Sequence, residues 1–166
     1  VTTTIPLALF ALFQMKFAII TPSLITGAFA ERVHFSGYLL FMILWTVVVY
    51  CPLAHCTWHP EGLFGMMHVH DYAGGIVVHA ASGVAALAGA MFLGKRRDAG
   101  SENKPANVPF VLLGAALLWL GWFGFNGGSS LAADGIAISA FLNTNTAAAV
   151  AMVGWIALDA MRGRKP

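Results

Sequence analysis

Five long apolar stretches constrain this chain more than any other feature of its sequence. A helix needs about 20 predominantly apolar residues to cross the hydrocarbon core of a bilayer. Runs of this length, each bounded by polar or turn-forming residues, lie at 6–30, 37–56, 72–93, 110–131 and 136–161. The alternating polarity of membrane β-strands is absent from the sequence. We therefore predict an all-α fold, a polytopic membrane bundle with about five transmembrane helices, over residues 1–166.

The composition agrees with lipid as the main solvent. Hydrophobic residues make up 58% of the chain and charged residues only 10%, whereas a soluble domain carries about 25% charged residues. The net charge of +2 is too small for the basic face that nucleic-acid binding requires. Cys51 and Cys56 are too few for a secreted disulfide framework. The class indicated is a membrane protein without a nucleic-acid partner.

The positions of Lys and Arg predict the orientation in the membrane. Eight of the nine fall in the first and third loops and after the last span: Arg32, Lys95, Arg96, Arg97, Lys104, Arg162, Arg164 and Lys165. The ninth, Lys16, lies within the first span. Five crossings place these three segments on one side, which the positive-inside rule assigns to the cytoplasm. We predict an integral protein of the cell (plasma or inner) membrane, with the segments 57–71 and 132–135 facing outward.

Two ionisable residues mark the third span. Asp71 precedes it and is predicted to cap the helix, because a carboxylate accepts from free N–H groups at the positive end of the helix dipole. His79 lies roughly 12 Å further along the axis, within the hydrocarbon region. An ionisable group at that depth marks a conduction path more often than a packing position. For Asp71 the structural and functional interpretations both stay open, as they do for His79.

Several motifs together resemble one family. The sequence 71–79 (DYAGGIVVH), followed by Ser82 and Gly83, and the sequence 121–129 (GWFGFNGGS) closely resemble signatures of the ammonium transporter (Amt) branch of the Amt/Rh family. The segments 13–22 (FQMKFAIITP) and 30–32 (AER) resemble its third helix. The resemblance covers essentially the whole chain in matching order. It implies an internal fragment, helices three to seven of an eleven-helix subunit, in a homotrimer with one pore per subunit.

The resemblance also implies roles for single residues. An outer site that recruits ammonium would use Phe17 and Trp58 as its aromatic cage and Ser129 as its hydroxyl. Phe125 would be one of two phenylalanines that gate the pore below, and the other is expected in the region of Phe17 or before it. His79 would be one of two pore histidines, and the second is expected on a later helix.

Physical chemistry supports these residue types independently. Aromatic faces hold a small cation with about 0.5 to 2 kcal/mol, and a hydroxyl oxygen accepts a hydrogen bond from ammonium. Passing neutral ammonia through an apolar constriction is less costly than passing the ion, and a desolvated histidine is biased toward its neutral, accepting form. Simpler alternatives stay open: Trp58 as an interfacial anchor, Phe17 and Phe125 as packing residues, and Ser129 as a helix-end residue.

One segment departs from the family pattern. His55, Cys56, His59, His68 and His70 lie in or beside the outward segment, where the family has a glycine-rich stretch after the tryptophan. Their spacing matches no structural zinc pattern, so we predict neither a metal nor a cofactor. A metal-dependent membrane enzyme using this segment stays as an alternative.

The preferred function is a channel that admits ammonium and delivers ammonia, and not an enzyme. An ammonium sensor with the same fold is a second alternative, and a gas channel of the Rh branch is a near relative. The basic loop 95–104 is expected at the cytoplasmic face. The resemblance suggests a PII-type regulatory protein as its partner.

Overall fold

The computed structural model describes residues 4–96 and 107–163, and all regular structure in these ranges is helical. The chain divides into two compact units. The N-terminal unit is Pro6–Asn103, and the C-terminal unit comprises Val1–Ile5 and Lys104–Pro166. Helical stretches long and apolar enough to cross a membrane are Leu7–Phe29, Phe35–Met66, Gly75–Leu93, Val108–Gly128 and Gly135–Met161. The prediction of an all-α membrane bundle is confirmed.

The N-terminal unit contains three of these spans, each built from more than one helical element. The first span consists of α1 and the short helix α2, and the second passes from α3 through a π-helical turn into α4, followed by the short helix α5. The third begins with a second π-helical turn and continues as α6. In chain order the bounds are Leu7–Ser23 (α1), Thr26–Phe29 (α2), Phe35–Trp45 (α3), Thr46–Tyr50 (first π turn), Cys51–Trp58 (α4), Leu63–Met66 (α5), Gly75–Ala80 (second π turn) and Ala81–Leu93 (α6).

The first π turn has a local cause in Pro52, near the start of α4. Proline has no N–H to donate, and its ring collides with the carbonyl four residues earlier, which belongs to Val48. A wider turn over Thr46–Tyr50 relieves this collision while the chain stays helical, as π turns inside α-helices do. The hydroxyl of Thr46 donates to the carbonyl of Met42 at 2.7 Å.

Aromatic and small residues hold the spans of the N-terminal unit together. The ring of Phe29 lies 4.9 Å from that of Phe41 and 5.8 Å from that of Tyr38, measured between centroids. The same ring covers Gly89 of α6 so closely that a Cβ there would lie 2.5 Å from its Cζ. Small residues on a membrane helix permit this close approach.

The basic residues of the first and third loops meet at one end of the N-terminal unit. Glu31, Arg32, His34, Lys95 and Arg96 line a cleft of about 530 Å³ together with Val33 and Leu93. Arg96 and Glu31 form an exposed ion pair at 3.4 Å. The two loops therefore lie at the same end of this unit, and Arg97 and Lys104 lie outside the described residues.

Both guanidinium groups at this end also bind helix ends. Arg32 donates to the carbonyls of Ala28 and Gly94. Arg96 donates to the carbonyls of Gly27 and Ala30. These carbonyls lie at the C-terminal ends of α2 and α6, where cations are favoured.

The C-terminal unit is a pair of packed helices, α7 (Val108–Gly128) and α8 (Gly135–Met161). Asn107 caps α7 by accepting from the N–H of Phe110 at 3.1 Å. The rings of Phe123 and Phe141 stack between the helices with centroids 4.2 Å apart. One polar contact joins the same helices: the amide of Asn126 donates to the hydroxyl of Thr144 at 2.7 Å.

Replacing Asn126 tests how much this polar contact stabilises the helix pair. Such bonds in membrane proteins contribute about 0.6 to 2 kcal/mol, so Asn126→Ala should lower the free energy of unfolding in detergent by about that amount. Thr144→Val, which keeps the shape, should cost a similar amount, and the double variant should cost less than the sum. Additive effects would mean that the two side chains act separately.

Candidate functional site

The carboxylate of Asp71 binds the start of the third span with both of its oxygens. Oδ1 accepts from the N–H groups of Gly74 and Gly75 at 2.6 and 2.8 Å, and Oδ2 accepts from those of Ile76 and Val77 at 2.8 and 2.9 Å. These N–H groups have no helical partner of their own, because they belong to the first turn. The structure therefore supports the capping interpretation of Asp71 and places a fixed negative charge at this helix end.

The helix itself begins later than the sequence suggested. Residues 71–74 form the turn around the carboxylate, and the N-cap position belongs to Gly74, with φ of 100°. Only four helical residues, Gly75 to Val78, thus precede His79, whereas the estimate of roughly 12 Å assumed a continuous helix from Asp71.

His79 is part of the second π turn, Gly75–Ala80. Its N–H donates to the carbonyl of Gly74 at 2.9 Å, and the same carbonyl accepts from the N–H of Val78 at 2.9 Å. Single π turns inside helices are frequent at functional sites. The backbone of this ionisable residue is thus tied directly to the residue that the Asp71 carboxylate holds.

Three aromatic rings form a cluster beside this helix start. The rings of Phe13 and Phe17 meet edge to face with centroids 5.0 Å apart, and Phe17 meets Trp58 edge to face at 5.4 Å. Phe17 is only 1% exposed, while Phe13 and Trp58 are partly exposed. Phe17 is therefore the buried central ring of the cluster, and the solvent-accessible surface belongs to Phe13 and Trp58.

Trp58 is connected to the capped turn by a hydrogen bond. Its indole N–H donates to the backbone carbonyl of Asp71 at 2.9 Å. A tryptophan that anchors a protein at the membrane interface directs its polar edge toward headgroups and water. Here the polar edge is used inside the protein, which favours the site interpretation over the anchor.

Phe125 and Ser129 belong to the C-terminal unit, one helical turn apart at the end of α7. The Ser129 hydroxyl donates to the carbonyl of Phe125 at 2.7 Å. The hydroxyl proton is used in this bond. The oxygen still has lone pairs with which it can accept a hydrogen bond from a cation.

A second acidic cap follows in the same unit. Asp134 accepts from the hydroxyl of Ser130 at 2.6 Å and from the N–H of Ala137 at 2.8 Å. Both bonds favour the ionised form, and they hold the pKa of Asp134 below its usual range.

The histidines between residues 55 and 70 include a stacked pair. The rings of His55 and His59 lie 4.7 Å apart and nearly parallel, and the Nδ1 of His59 accepts from the N–H of Glu61 at 3.2 Å. Among residues 4–96 and 107–163 there is no group of three or more His, Cys, Asp or Glu side chains arranged to hold a metal.

Two residues of this site were not assigned by residue number from the sequence. Phe13 follows from its position one turn before Phe17, since residues four apart share a helix face. Gly74 had a weaker signal, the glycine pair at 74–75, which indicates a turn but not which glycine needs a positive φ. Its importance depends on how close an added side chain would come to Val78 and Phe17, which only the fold reveals.

The spans define the class as an integral helical membrane protein. Within that class, the chain belongs to the Ammonium Transporter Family, whose model matches residues 1–166. It is 52% identical over 163 residues to an ammonium transporter of Bacillus subtilis, and 48% identical over 159 residues to ammonium transporter Amt1 of Archaeoglobus fulgidus. These matches cover 98% and 94% of this chain but only 40% of each relative.

A solved structure agrees with this membership. A crystal structure of a Mep2 mutant from Candida albicans has a TM-score of 0.88 and 40% sequence identity, over 98% of this chain and 37% of that one. The family resemblance predicted from the motifs is confirmed, and the chain is a fragment relative to these proteins. Its relatives are named as transporters, not enzymes.

Proposed function

We propose that the longer protein to which this chain belongs is a transmembrane ammonium transport channel. Family membership supports transport of this substrate. The observation that carries the pathway is the aromatic cluster at a carboxylate-capped helix start, with His79 within the same first turns of that helix. A cation-attracting surface is thereby joined through the backbone to a histidine on a membrane span.

The proposed path begins at Trp58. Its partly exposed ring attracts ammonium. The Asp71 carboxylate, which stays bonded to its four N–H partners, adds a negative potential. For Ser129, the family resemblance suggests the role of a hydroxyl that accepts a hydrogen bond from ammonium. Recruitment compensates part of the hydration energy that the cation loses.

Phe17 is proposed to close the path below this surface. Because its ring is buried among its neighbours, we assign it to the gate as well as to the cage, and Phe13 becomes a candidate for the cage wall. Phe125 is the gate residue proposed on α7. Neutral ammonia then passes, and His79 accepts a hydrogen bond from it or relays the released proton.

Replacing Trp58 tests the recruitment step. Losing a cation–π contact of about 0.5 to 2 kcal/mol should raise the KM for methylammonium about 2- to 30-fold in Trp58→Leu. The measurement is uptake of labelled methylammonium by the full-length protein in cells without their own transporter. Trp58→Phe keeps an aromatic face and should raise KM less.

A matched control uses Trp155, which is 72% exposed on α8. Trp155→Leu removes a tryptophan of equal size outside the proposed site and should leave KM unchanged. An unchanged KM in Trp58→Leu would refute recruitment by this ring.

An ammonium sensor remains the second candidate, because a sensor would use the same outer site. Uptake that saturates and depends on His79 supports the channel. Ammonium binding without uptake would support the sensor.

The remaining elements of the proposal concern the surroundings of the pore. The end with Arg32 and Arg96 is proposed to face the cytoplasm by the positive-inside rule. A homotrimer and a PII-type partner at that face are expectations from the family. Residues 97–104 of the loop 95–104 lie outside the described residues.

A further inference from the structure

We infer that Gly74 is a positioning residue that couples the aromatic cluster to the orientation of His79. This inference rests on the proposed function, and it names a residue that positions His79 in the proposed site. The backbone of Gly74 bonds to the Asp71 carboxylate and to the histidine-bearing turn, and a Cβ added at Gly74 would lie 3.7 Å from the Phe17 ring of the aromatic cluster.

The first link is the backbone N–H of Gly74. It donates to Oδ1 of Asp71 at 2.6 Å, while the carbonyl of Asp71 accepts from Trp58 at 2.9 Å. The turn is therefore held from both sides, by its own carboxylate and by the indole.

The second link is the carbonyl of Gly74, which accepts from both Val78 and His79. The bond to His79 spans five residues and adds one residue to the turn. The carbonyl of Gly74 is thus bonded directly to the backbone of His79. A displacement of Gly74 would therefore move the residue that carries the imidazole.

The third link is the space that the absent side chain leaves. A Cβ on Gly74 would lie 2.5 Å from Cγ2 of Val78 and 3.7 Å from Cδ1 of Phe17. Val78 is 4% and Phe17 1% exposed, so neither has free space into which to move. With φ of 100°, any L side chain here is also strained.

Gly75 provides a matched control one residue away. A Cβ on Gly75 would meet nothing within 4 Å, and its φ lies outside the strained positive range. Gly75→Ala keeps its N–H and hence its bond to Asp71. The two variants add the same methyl group, and only Gly74→Ala disturbs the link.

The test is a double-mutant cycle in the full-length protein, with methylammonium uptake as the readout. We expect Gly74→Ala to reduce uptake by at least about tenfold and Gly75→Ala by less than about twofold. Adding His79→Ala to Gly74→Ala should reduce uptake little further, because the histidine is already misplaced. Adding it to Gly75→Ala should have its full effect.

The variant Gly74→Ala/Val78→Ala guards against simple misfolding, since it removes the methyl overlap and leaves the backbone strain. Thermal unfolding of each purified variant is measured alongside uptake. A folded Gly74→Ala variant with normal uptake, or effects of Gly74→Ala and His79→Ala that multiply, would overturn the inference while leaving the proposed function intact. No uptake by the unmodified protein would overturn the proposed function and this inference with it.

Discussion

His79→Ala should reduce methylammonium uptake by the full-length protein about 5- to 150-fold. The estimate follows from the cost of removing one partner of a desolvated hydrogen bond, about 1 to 3 kcal/mol, expressed as a rate. His79 lies on a membrane span, in the π turn Gly75–Ala80. Its backbone N–H donates to the carbonyl of Gly74, and the N–H of Gly74 in turn donates to the Asp71 carboxylate. Its replacement by a methyl group removes the acceptor without disturbing the Asp71 cap.

Two comparisons make this result specific. His70→Ala alters an exposed histidine outside the helices and should leave uptake unchanged. His79→Gln retains hydrogen-bonding groups but cannot carry a proton near neutral pH. Partial activity in His79→Gln would assign the residue a hydrogen-bonding role, and none would assign it a proton relay. Undiminished uptake in His79→Ala would remove the histidine from the proposed path.

Asp71→Ala should have the largest effect on stability of any single substitution at this site. The four N–H groups that its carboxylate binds would lose their acceptor at the start of a membrane span. A hydrogen bond to a charged group contributes about 1.5 to 3 kcal/mol, and unpaired N–H groups are most costly where water is scarce. We expect the free energy of unfolding to fall by about 3 kcal/mol or more, measured by unfolding in detergent.

Asp71→Asn and Asp134→Ala define the scale of this effect. Asparagine offers one side-chain oxygen in place of two, so Asp71→Asn should retain part of the stability. Asp134 also caps a membrane span, but its carboxylate accepts from one helix N–H and one hydroxyl. Its replacement should therefore cost less. Equal losses from Asp71→Ala and Asp134→Ala would contradict the special role of the four-bond cap.

The five spans were predictable because the thickness of the bilayer requires a minimum length of apolar sequence. One polar residue within such a long apolar run does not obscure it. The third span was predicted from residue 72, yet the helix begins at Gly75. Apolar content does not distinguish a turn from a helix. The difference arises because the Asp71 carboxylate reaches forward over three intervening residues, which propensity alone does not encode.

The candidate site was predictable in part, and for different reasons. Phe17, Trp58, Ser129 and Phe125 were proposed through motif resemblance, and their roles remain predictions. The edge-to-face packing of Phe17 with Trp58 joins residues 41 positions apart in sequence, a contact that no local pattern specifies. The π turns were not predicted, since the apolar patterns of π and α turns are too similar to separate in one short segment.

The arginines at the ends of α2 and α6 have a consequence for how this protein is made. By the positive-inside rule, we expect Arg32 and Arg96 to bias, before folding, which loops stay on the cytoplasmic side. After folding, the same guanidinium groups each bridge two backbone carbonyls. Lysine would preserve the first role but would lack the planar fork that suits the second. Membrane insertion and the folded state would thus place different demands on the same two side chains, and arginine meets both.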